Sequence, residues 1–276
     1  MKKIPIAQNT IQETLLIPLY ARALGSELFP QILYDPLARE SMAHLDYDFA
    51  ALTAKKQTRI WQFGALEGIL RSRDMLFEMK EYLAAHPGAA IVNLGCGLDT
   101  TPRLVATGNS KIYNIDRDDV MNLRQQILPL DDRDCNLSAD LRDPSWLQVI
   151  DGAKGVFLFA AGVFMYLQRE EVETLLRNIR KAFPTGTLVF DTVGKAGVQI
   201  LMKCTLQTMG IYHVDGLFYA NHPLQDILWP EGCEVNVRPY LTGYVNLRKE
   251  GVPPLLRWAA FLFDHLFHMR ICQMRW

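Results

Sequence analysis

The amino-acid sequence predicts a doubly wound α/β fold with a mostly parallel sheet, and two patterns support that prediction. From residue 89 onward, short strand-like segments alternate with helical ones, which is the order of a chain that joins parallel strands by right-handed crossovers. The strand-like segments are continuously apolar, as in residues 156–159, and this is typical of strands that helices cover on both faces. A chain of 276 residues suits one large domain of this kind.

Seven segments are candidate strands, and helical segments separate most of them. In chain order the candidate strands are residues 89–94, 111–115, a short segment ending at Ala139, 155–160, 185–191, 234–240 and 269–276. The candidate helices in the same part of the chain are residues 101–106, 120–128, 169–182, 197–209 and 253–268. The first 85 residues lack β-branched runs, and apolar residues at three- and four-residue spacings between 50 and 83 predict helices there.

The composition argues against several classes of partner. Lys and Arg number 29 and Asp and Glu 30, for a net charge of −1, so we expect neither nucleic acid nor a membrane surface as a partner. The five cysteines include no C-x-x-C pair and are expected to be reduced thiols. The longest uncharged apolar stretch, residues 155–167, is shorter than the roughly 20 residues that span a bilayer. These features predict a cytoplasmic protein.

No metal site is predicted. His265, His268 and Cys272 lie at three- and four-residue steps, which would place them on one face of a helix and could suit zinc. A fourth ligand does not follow, and the apolar residues around them favour packing. The sequence also lacks the Gly-x-Ser-x-Gly elbow of hydrolases and the phosphate loop of nucleotide triphosphatases.

The segment after the first candidate strand is the most informative one. The strand runs into Gly95-Cys96-Gly97 and then toward a helix, and glycines at such a turn let the backbone approach a ligand closely. A dinucleotide site would need a third glycine at position 100, where a pyrophosphate meets the start of the helix, and this chain has Thr100 there. The turn therefore favours a ligand without a pyrophosphate, and a plain pair of turn glycines is the alternative.

Two carboxylates follow the next two candidate strands. Asp116 lies 21 positions beyond Gly95, close to the gap of about 20 residues at which an acceptor for a ribose diol is expected. Its carboxylate can accept hydrogen bonds from both hydroxyl groups, and the alternative is a cap for the following helix. Asp140 follows the third candidate strand, where a carboxylate can accept a hydrogen bond from the amino group of an adenine. A surface turn is the alternative for Asp140.

Six pieces of the sequence form a more specific set. They are YARAL (20–24) with YDPLA (34–38), LRSRD (70–74), VNLGCGLDT (92–100), ID (115–116), DLRD (140–143) and GVFMYL (162–167). In this order and with these gaps they resemble the family of leucine carboxyl methyltransferases and bacterial tetracenomycin-type polyketide O-methyltransferases. The resemblance implies the class I S-adenosylmethionine-dependent methyltransferase fold, with a seven-stranded sheet, N-terminal helices and an inserted helical lid.

The resemblance also divides a single domain into four parts. Residues 1–85 would be an N-terminal helical cap, 86–193 the cofactor-binding half, 194–230 a lid over the acceptor, and 231–276 the completion of the sheet. The lid carries the aromatic residues Tyr212, Phe218, Tyr219 and Trp229, which could line an acceptor pocket or simply pack within the lid. The oligomeric state, monomer or homodimer, is left open.

Roles for individual residues follow from the resemblance by position. Arg71 matches the arginine that pairs with the methionine carboxylate of S-adenosylmethionine, and a guanidinium fork suits a carboxylate. We expect Arg71 to reach over the Gly95 turn, whereas without the resemblance it would read as a solvated helix residue. The other implied cofactor-binding residues are Gly95 and Gly97 at the methionine and ribose, Asp116 at the ribose, and Asp140 and Leu141 at the adenine. Cys96, Arg117, Ala160 and Ala161 are also implied to bind the cofactor, without a part of it assigned to each.

This chain departs from the family pattern at two positions. The family usually has a glutamate before the Gly-Val-x-Met-Tyr-Leu stretch, near the methionine end of the cofactor, and this chain has Ala161. Asn93 replaces a commonly acidic residue in the first strand. The change at Ala161 leaves open both the class of acceptor and whether catalysis is retained.

The favoured activity is O-methylation of a small-molecule acceptor, with S-adenosylhomocysteine as the cofactor product. A carboxylate acceptor is already nucleophilic at neutral pH and needs no general base, whereas a phenol with a pKa near 10 would gain from one. No clear base follows the fourth candidate strand, which favours a carboxylate, and Tyr166 could donate its hydroxyl to the acceptor or pack against the lid. The alternatives are a nicotinamide-dependent oxidoreductase, disfavoured by Thr100, and a cofactor-binding protein that has lost catalysis.

Overall fold

A seven-stranded sheet lies at the centre of the molecule. The computed structural model describes residues 3–6, 14–49, 58–105, 110–129, 131–201 and 218–276. Their strands are β1 (Ile4–Pro5), β2 (Leu45–Asp46), β3 (Ala90–Leu94), β4 (Ile112–Asp116), β5 (Asp134–Ser138), β6 (Val156–Ala160), β7 (Gly186–Thr192), β8 (Glu234–Pro239) and β9 (Arg270–Arg275). Their helices are α1 (Leu16–Leu28), α2 (Pro36–Ala43), α3 (Arg59–Ala85), α4 (Asp118–Ile127), α5 (Arg169–Ala182), α6 (Lys195–Leu201), α7 (Pro223–Asp226) and α8 (Pro254–Leu266). Short 3₁₀ helices cover Thr101–Leu104, Pro144–Val149 and Phe164–Tyr166.

The strand order places a crevice at the middle of the sheet. The order is β5-β4-β3-β6-β7-β9-β8, with β3 to β7 parallel and β9 antiparallel to both of its neighbours. The chain moves outward from β3 to β5 and then returns to the other side of β3 for β6. In open α/β sheets, ligands bind outside the carboxyl ends of the strands at such a reversal. The predicted fold class is confirmed.

Helices cover both faces of the sheet, and the side chains of β6 show how. Successive side chains of a strand point to opposite faces, so Phe157 and Phe159 pack in the layer that contains Ile69 of α3. Leu158 packs in the other layer with Leu176 of α5. All five side chains are fully buried, and burial of each contributes about 1.5–3 kcal/mol to the free energy of unfolding.

Helix α1 lies very close to α3 because glycines occupy the contact. A Cβ at Gly25 of α1 would lie 2.6 Å from the carbonyl oxygen of Ala65, and a Cβ at Gly68 of α3 would lie 2.9 Å from the Cβ of Ala21. Any larger residue at either position would push the helices apart. This close packing holds the N-terminal helices against the sheet, where α1 and α3 supply side chains to the carboxyl ends of the strands.

The N-terminal part differs from the all-helical prediction. Strands β1 and β2 pair in parallel, with Ile4 opposite Leu45. Each has two residues, which is too short to leave an alternating pattern in the sequence. The helix predicted between residues 50 and 83 is α3, which continues to Ala85; residues 50–57 lie outside the described part of the chain.

Two further helix predictions differ from the structure in their bounds. Residues 101–106 were expected to be helical, but a 3₁₀ helix ends at Leu104, because the carboxylate of Asp99 accepts hydrogen bonds from the backbone N–H and hydroxyl of Thr101 and tightens the turn. The helix predicted over residues 197–209 is α6, which begins at Lys195. Residues 202–217, which include Tyr212 and the middle of the predicted lid, lie outside the described part.

The last helix and the last strand are joined by a sharp turn. His268 has a positive φ of 49°, between the end of α8 at Leu266 and the start of β9 at Arg270. Cys272 therefore lies in a strand, and His265, His268 and Cys272 do not share a helix face. In the described ranges, no helix has the length and apolar character needed to cross a membrane.

Candidate cofactor site

The turn after β3 depends on glycine at two positions. Gly95 has φ +60° and Gly97 has φ +46°, in the left-handed region that side chains disfavour. A Cβ at Gly95 would also lie 2.7 Å from Cγ1 of Val163, in the turn that follows β6. The turns after the two central strands therefore touch, and a side chain at position 95 would push them apart.

Two buried arginines hold this turn from below. Nη1 of Arg124, from α4, donates to the carbonyl oxygens of Gly97 (2.9 Å) and Asp99 (2.8 Å). Nη2 of Arg22, from α1, donates to the carbonyl oxygen of Leu98 (2.8 Å), and its Nη1 donates to Oδ1 of Asp99 (2.9 Å). The exposed fractions of Arg22 and Arg124 are 5% and 1%. Three successive carbonyl groups of the turn are thus fixed by buried positive charge.

Arg22 connects the turn to a second piece of the N-terminal region, around Asp35. Nε of Arg22 lies 3.3 Å from Oδ2 of Asp35, and Oδ1 of Asp35 caps α2 by accepting from the backbone N–H of Ala38 (3.1 Å). Burial raises the pKa of Asp35, and the charge of Arg22 opposes that rise. The pieces YARAL and YDPLA therefore meet beneath the glycine turn, a role that their sequence alone did not reveal.

Asp116 faces the same turn from the end of β4. Its Oδ2 accepts from the backbone N–H of Gly97 and its Oδ1 from the backbone N–H of Arg117, each at 2.8 Å. Burial raises the pKa of Asp116, and these two N–H groups oppose that rise. The N-cap residue of α4 is Arg117, whose side chain makes no capping hydrogen bond. Asp116 is therefore not the cap of that helix. Each carboxylate oxygen keeps a lone pair for a ribose hydroxyl, and that role stays a prediction.

The predicted adenine end lies after β5 and is more exposed. Both oxygens of Asp140 accept hydrogen bonds from the guanidinium of Arg142, which lowers the pKa of Asp140 to about 2. The Asp140 side chain keeps 41% of its surface exposed, and Leu141 packs partly buried against the core. An adenine amino group would share Asp140 with Arg142, so this prediction also awaits a test.

Arg71 reaches the turn that follows β6. A Cβ at Gly162, in that turn, would lie 2.7 Å from Nη1 of Arg71. The same Nη1 lies 3.6 Å from Oδ2 of Asp191, at the end of β7. Since Val163 follows Gly162 and touches Gly95, the two turns are adjacent and Arg71 remains at the edge of the same crevice. The expected pairing of Arg71 with the methionine carboxylate stays a prediction.

The surroundings of Arg71 include three acidic groups that the sequence analysis did not identify. Burial lowers the pKa of the Arg71 guanidinium, but Tyr240, Asp191 and Glu67 raise it by more, so the group stays charged. Burial raises the pKa of Glu67, and the charge of Arg71 opposes that rise. Asp191 ends a central strand, which is the same signal that identified Asp116. Glu67 precedes Arg71 by one helical turn. In the sequence, an acid and an arginine at this spacing look like an ordinary ion pair on the surface of a helix.

Of the remaining predicted residues, three have side chains that point toward the core. Cys96 is buried, which raises the pKa of its thiol to about 12, and its sulfur contacts Met121; only its backbone is left for a ligand. Ala160 is buried at the end of β6, and Ala161 packs partly buried against the α3 layer. Tyr166, in contrast, is 42% exposed.

A small cleft lies between the ends of β6 and β7. Gly162, Met165, Asp191 and Phe218 are among its lining residues. Phe218 belongs to the predicted lid and is itself buried. Of the other lid aromatics, Trp229 packs on the ring of Phe190 in the core.

A larger cavity of about 510 Å³ lies at the opposite end of the strands, where β7 begins and β9 ends. It is remote from the glycine turn.

The comparison with known families decides the assignment. The sequence model of the leucine carboxyl methyltransferase family matches residues 16–180, more than half of the chain, and the matched part contains the glycine turn, Asp116, Asp140 and Arg71. The chain belongs to the leucine carboxyl methyltransferase family. The predicted family is confirmed, and S-adenosylmethionine is the cofactor of this family.

Individual relatives agree with this assignment. The chain is 32% identical over 185 residues to the tetracenomycin polyketide synthesis O-methyltransferase TcmP of Streptomyces glaucescens, and the alignment covers 66% of each chain, just under two thirds. It is 29% identical over 218 residues to the S-adenosyl-L-methionine-dependent methyltransferase dpfgK of Gibberella zeae, with 72% of each chain covered.

Solved structures share the fold at low sequence identity. A DUF574 family protein from Streptomyces avermitilis superposes with a TM-score of 0.56 at 14% identity, covering 93% of this chain and 96% of that one. An S-adenosylmethionine-dependent methyltransferase from Mesorhizobium loti gives a TM-score of 0.51 at 18% identity, covering 75% of this chain and 98% of that one. These likenesses support the fold of this leucine carboxyl methyltransferase family member.

The residues of the crevice fit S-adenosylmethionine. This cofactor carries a zwitterionic amino-acid end, a ribose diol and an adenine. The structure places a guanidinium and a carboxylate at the ends of β6 and β7, a carboxylate with spare lone pairs at the end of β4, and a further carboxylate after β5. The chemistry of these groups, in this order along the strand ends, suits the three parts of the cofactor.

We predict that Arg124→Met destabilises the turn that would hold the cofactor. The substitution leaves the carbonyl groups of Gly97 and Asp99 buried without their donor, which should lower the free energy of unfolding by about 2–4 kcal/mol. It should also weaken binding of S-adenosylhomocysteine, measured by calorimetry at a temperature where the variant is folded. Arg39→Met, at an exposed position of α2, is the control. Equal stability and affinity in the two variants would contradict this account of the turn.

Proposed function

We propose that this chain transfers the methyl group of S-adenosylmethionine to an oxygen atom of a small-molecule acceptor, most favourably a carboxylate. The observation that supports the proposal is the line of groups along the strand ends, from Asp140 and Asp116 to Arg71. Family membership supports methyl transfer, and the name of the relative TcmP supports oxygen as the acceptor atom. The choice of a carboxylate is our inference from the chemistry of the crevice.

Bound S-adenosylmethionine supplies a methyl group that is already activated on a sulfonium. The work left to the protein is alignment of the two reactants and exclusion of water. The glycine turn gives close access to the backbone, Asp116 would orient the ribose, and Arg71 would hold the methionine carboxylate. The small cleft between β6 and β7 adjoins Arg71, so an acceptor at the mouth of this cleft would lie beside the methionine end.

The arrangement of acids around the cleft favours an acceptor that needs no deprotonation. Asp191 accepts a hydrogen bond from the backbone N–H of Gly162 at 2.6 Å and faces Arg71. A carboxylate that already accepts a hydrogen bond from a backbone N–H and lies beside a guanidinium is poorly placed to take a proton from a phenol. A carboxylate acceptor avoids this need because it is ionised at neutral pH. The hydroxyl of Tyr166, which interacts electrostatically with Arg71 and Asp191, could donate to it.

The direct test is a methyl-transfer assay with S-adenosylmethionine that carries a labelled methyl group. We expect label in a pool of aromatic and polyketide-like carboxylic acids, and less label in the matched phenols without a carboxyl group. Transfer to phenols alone would refute the carboxylate proposal. Cofactor binding without transfer to either pool would favour a protein that has lost catalysis, and binding of NAD instead would refute methyl transfer altogether.

We predict that Tyr166→Phe slows methyl transfer without changing cofactor affinity. Loss of one hydrogen bond to a charged acceptor should lower kcat/KM by about 10- to 100-fold, while calorimetry with S-adenosylhomocysteine should give the wild-type Kd. Tyr34→Phe removes a phenol hydroxyl at another exposed position and serves as the control. If Tyr166→Phe and Tyr34→Phe both keep wild-type kcat/KM, Tyr166 does not contact the acceptor.

A further inference from the structure

Arg71 and Asp191 form a loosely matched pair of opposite charges. Nη1 of Arg71 lies 3.6 Å from Oδ2 of Asp191, with 20% and 7% of the two side chains exposed. A charge-assisted hydrogen bond between a guanidinium and a carboxylate is normally about 2.7–2.9 Å long. The gap between the two groups is therefore too wide for a direct hydrogen bond. Both side chains are largely sheltered from solvent at the mouth of the crevice.

Asp191 is held in a fixed position. Its Oδ1 accepts from the backbone N–H of Gly162, and its backbone pairs with Ile271 of β9. Its side chain also lines the cleft between β6 and β7. The carboxylate is thus anchored by one oxygen, and the other oxygen is directed toward Arg71 at the edge of the cleft.

The charged groups lie along the strand ends in the order that the parts of the ligand require. Neighbouring strands lie about 4.8 Å apart, so the ends of β4 and β7, three steps apart, are separated by roughly 14 Å. A nucleoside whose ribose lies at Asp116 and whose adenine extends toward β5 would direct its 5′ substituent across the ends of β3 and β6. The amino-acid end would then arrive beside Gly162, between Arg71 and Asp191.

We propose that Asp191 binds the α-ammonium group of the cofactor while Arg71 binds its α-carboxylate. The inference rests on the proposed function and assigns Asp191 a part in it. A zwitterion carries one positive and one negative charge, and this pair offers the complementary charges from two different elements. Each partner would exchange a loose contact with the other for a direct hydrogen bond to the ligand.

Glu67 is the competing candidate for the same role. Its carboxylate also interacts with Arg71 and Asp191, and it lies one helical turn before Arg71 on α3. Asp191 is favoured because it lines the cleft and is anchored to the turn after β6, where the amino-acid end is expected. Glu67→Gln is therefore the matched control, since it removes a neighbouring acid of similar burial without touching Gly162.

Calorimetry with three ligands tests the assignment. The ligands are S-adenosylhomocysteine, its analogue without the α-amino group, and 5′-methylthioadenosine, which lacks the whole amino-acid end. Wild-type protein should bind S-adenosylhomocysteine about 10-fold or more tighter than the deaminated analogue, because an ammonium–carboxylate contact in a sheltered site is strong. In Asp191→Asn, S-adenosylhomocysteine should weaken by a similar factor. The deaminated analogue should bind equally well or more tightly, and 5′-methylthioadenosine should change by less than about twofold.

The opposite response of two ligands separates ligand binding from a structural role. If Asp191→Asn weakens all three ligands alike, Asp191 only supports the turn and the assignment is wrong. If wild-type protein binds S-adenosylhomocysteine and its deaminated analogue with equal affinity, the assignment of Asp191 is wrong, and no variant is needed to show it. The assignment is also wrong if Glu67→Gln, rather than Asp191→Asn, weakens binding of S-adenosylhomocysteine alone. Wild-type protein that binds none of the three ligands would refute the proposed function itself, which is a different result from failure of Asp191 alone.

Discussion

Two buried guanidinium groups beneath the turn after β3 are the constraint on which the rest of the site depends. A buried charge without partners costs several kcal/mol, so Arg22 and Arg124 must each find oxygen atoms. The turn supplies them by directing the carbonyl groups of Gly97, Leu98 and Asp99 inward. With its carbonyl groups fixed in this way, the turn presents the N–H of Gly97 to Asp116. The geometry around Asp116, where the ribose is predicted to bind, thus follows from a charge requirement below it.

The same constraint explains why helices far apart in sequence complete one site. Arg22 belongs to α1 and Arg124 to α4, and the close contact between α1 and α3 through Gly25 and Gly68 sets the position of α3 relative to the turn. Arg71 is carried by α3 and reaches the neighbouring turn at Gly162. The N-terminal helices are therefore a structural part of the crevice, because they contribute both the support of the first turn and the positive charge over the second.

The sequence predicted those features that leave a local pattern. Parallel strands buried on both faces are continuous apolar runs, and Asp116 follows such a run at a spacing that a turn and a strand dictate, so the sheet and this carboxylate could be identified from residues alone. Arg71 needed the family resemblance, since an arginine on a helix carries no sign of what it faces. Asp191 was missed although it also ends a strand, because its contacts with Gly162 and Arg71 bring together residues 29 and 120 positions apart. The prediction missed the two-residue strands β1 and β2 and gave a helix where a 3₁₀ turn begins at Thr101. Single hydrogen bonds determine these elements, and they leave no periodicity in the sequence.

The most direct measurement is amide hydrogen exchange at Gly97 and Asp99 in Arg22→Met, followed by NMR. Their backbone N–H groups are bonded to Asp116 and to the carbonyl oxygen of Cys96. If buried charge holds the turn, loss of Arg22 should speed exchange at both amides by about 10-fold or more, which corresponds to about 1.4 kcal/mol of local stability, while amides of β6 and β7 exchange as in the wild type. Unchanged exchange at Gly97 and Asp99 in the folded variant would contradict the claim that the arginines shape the site.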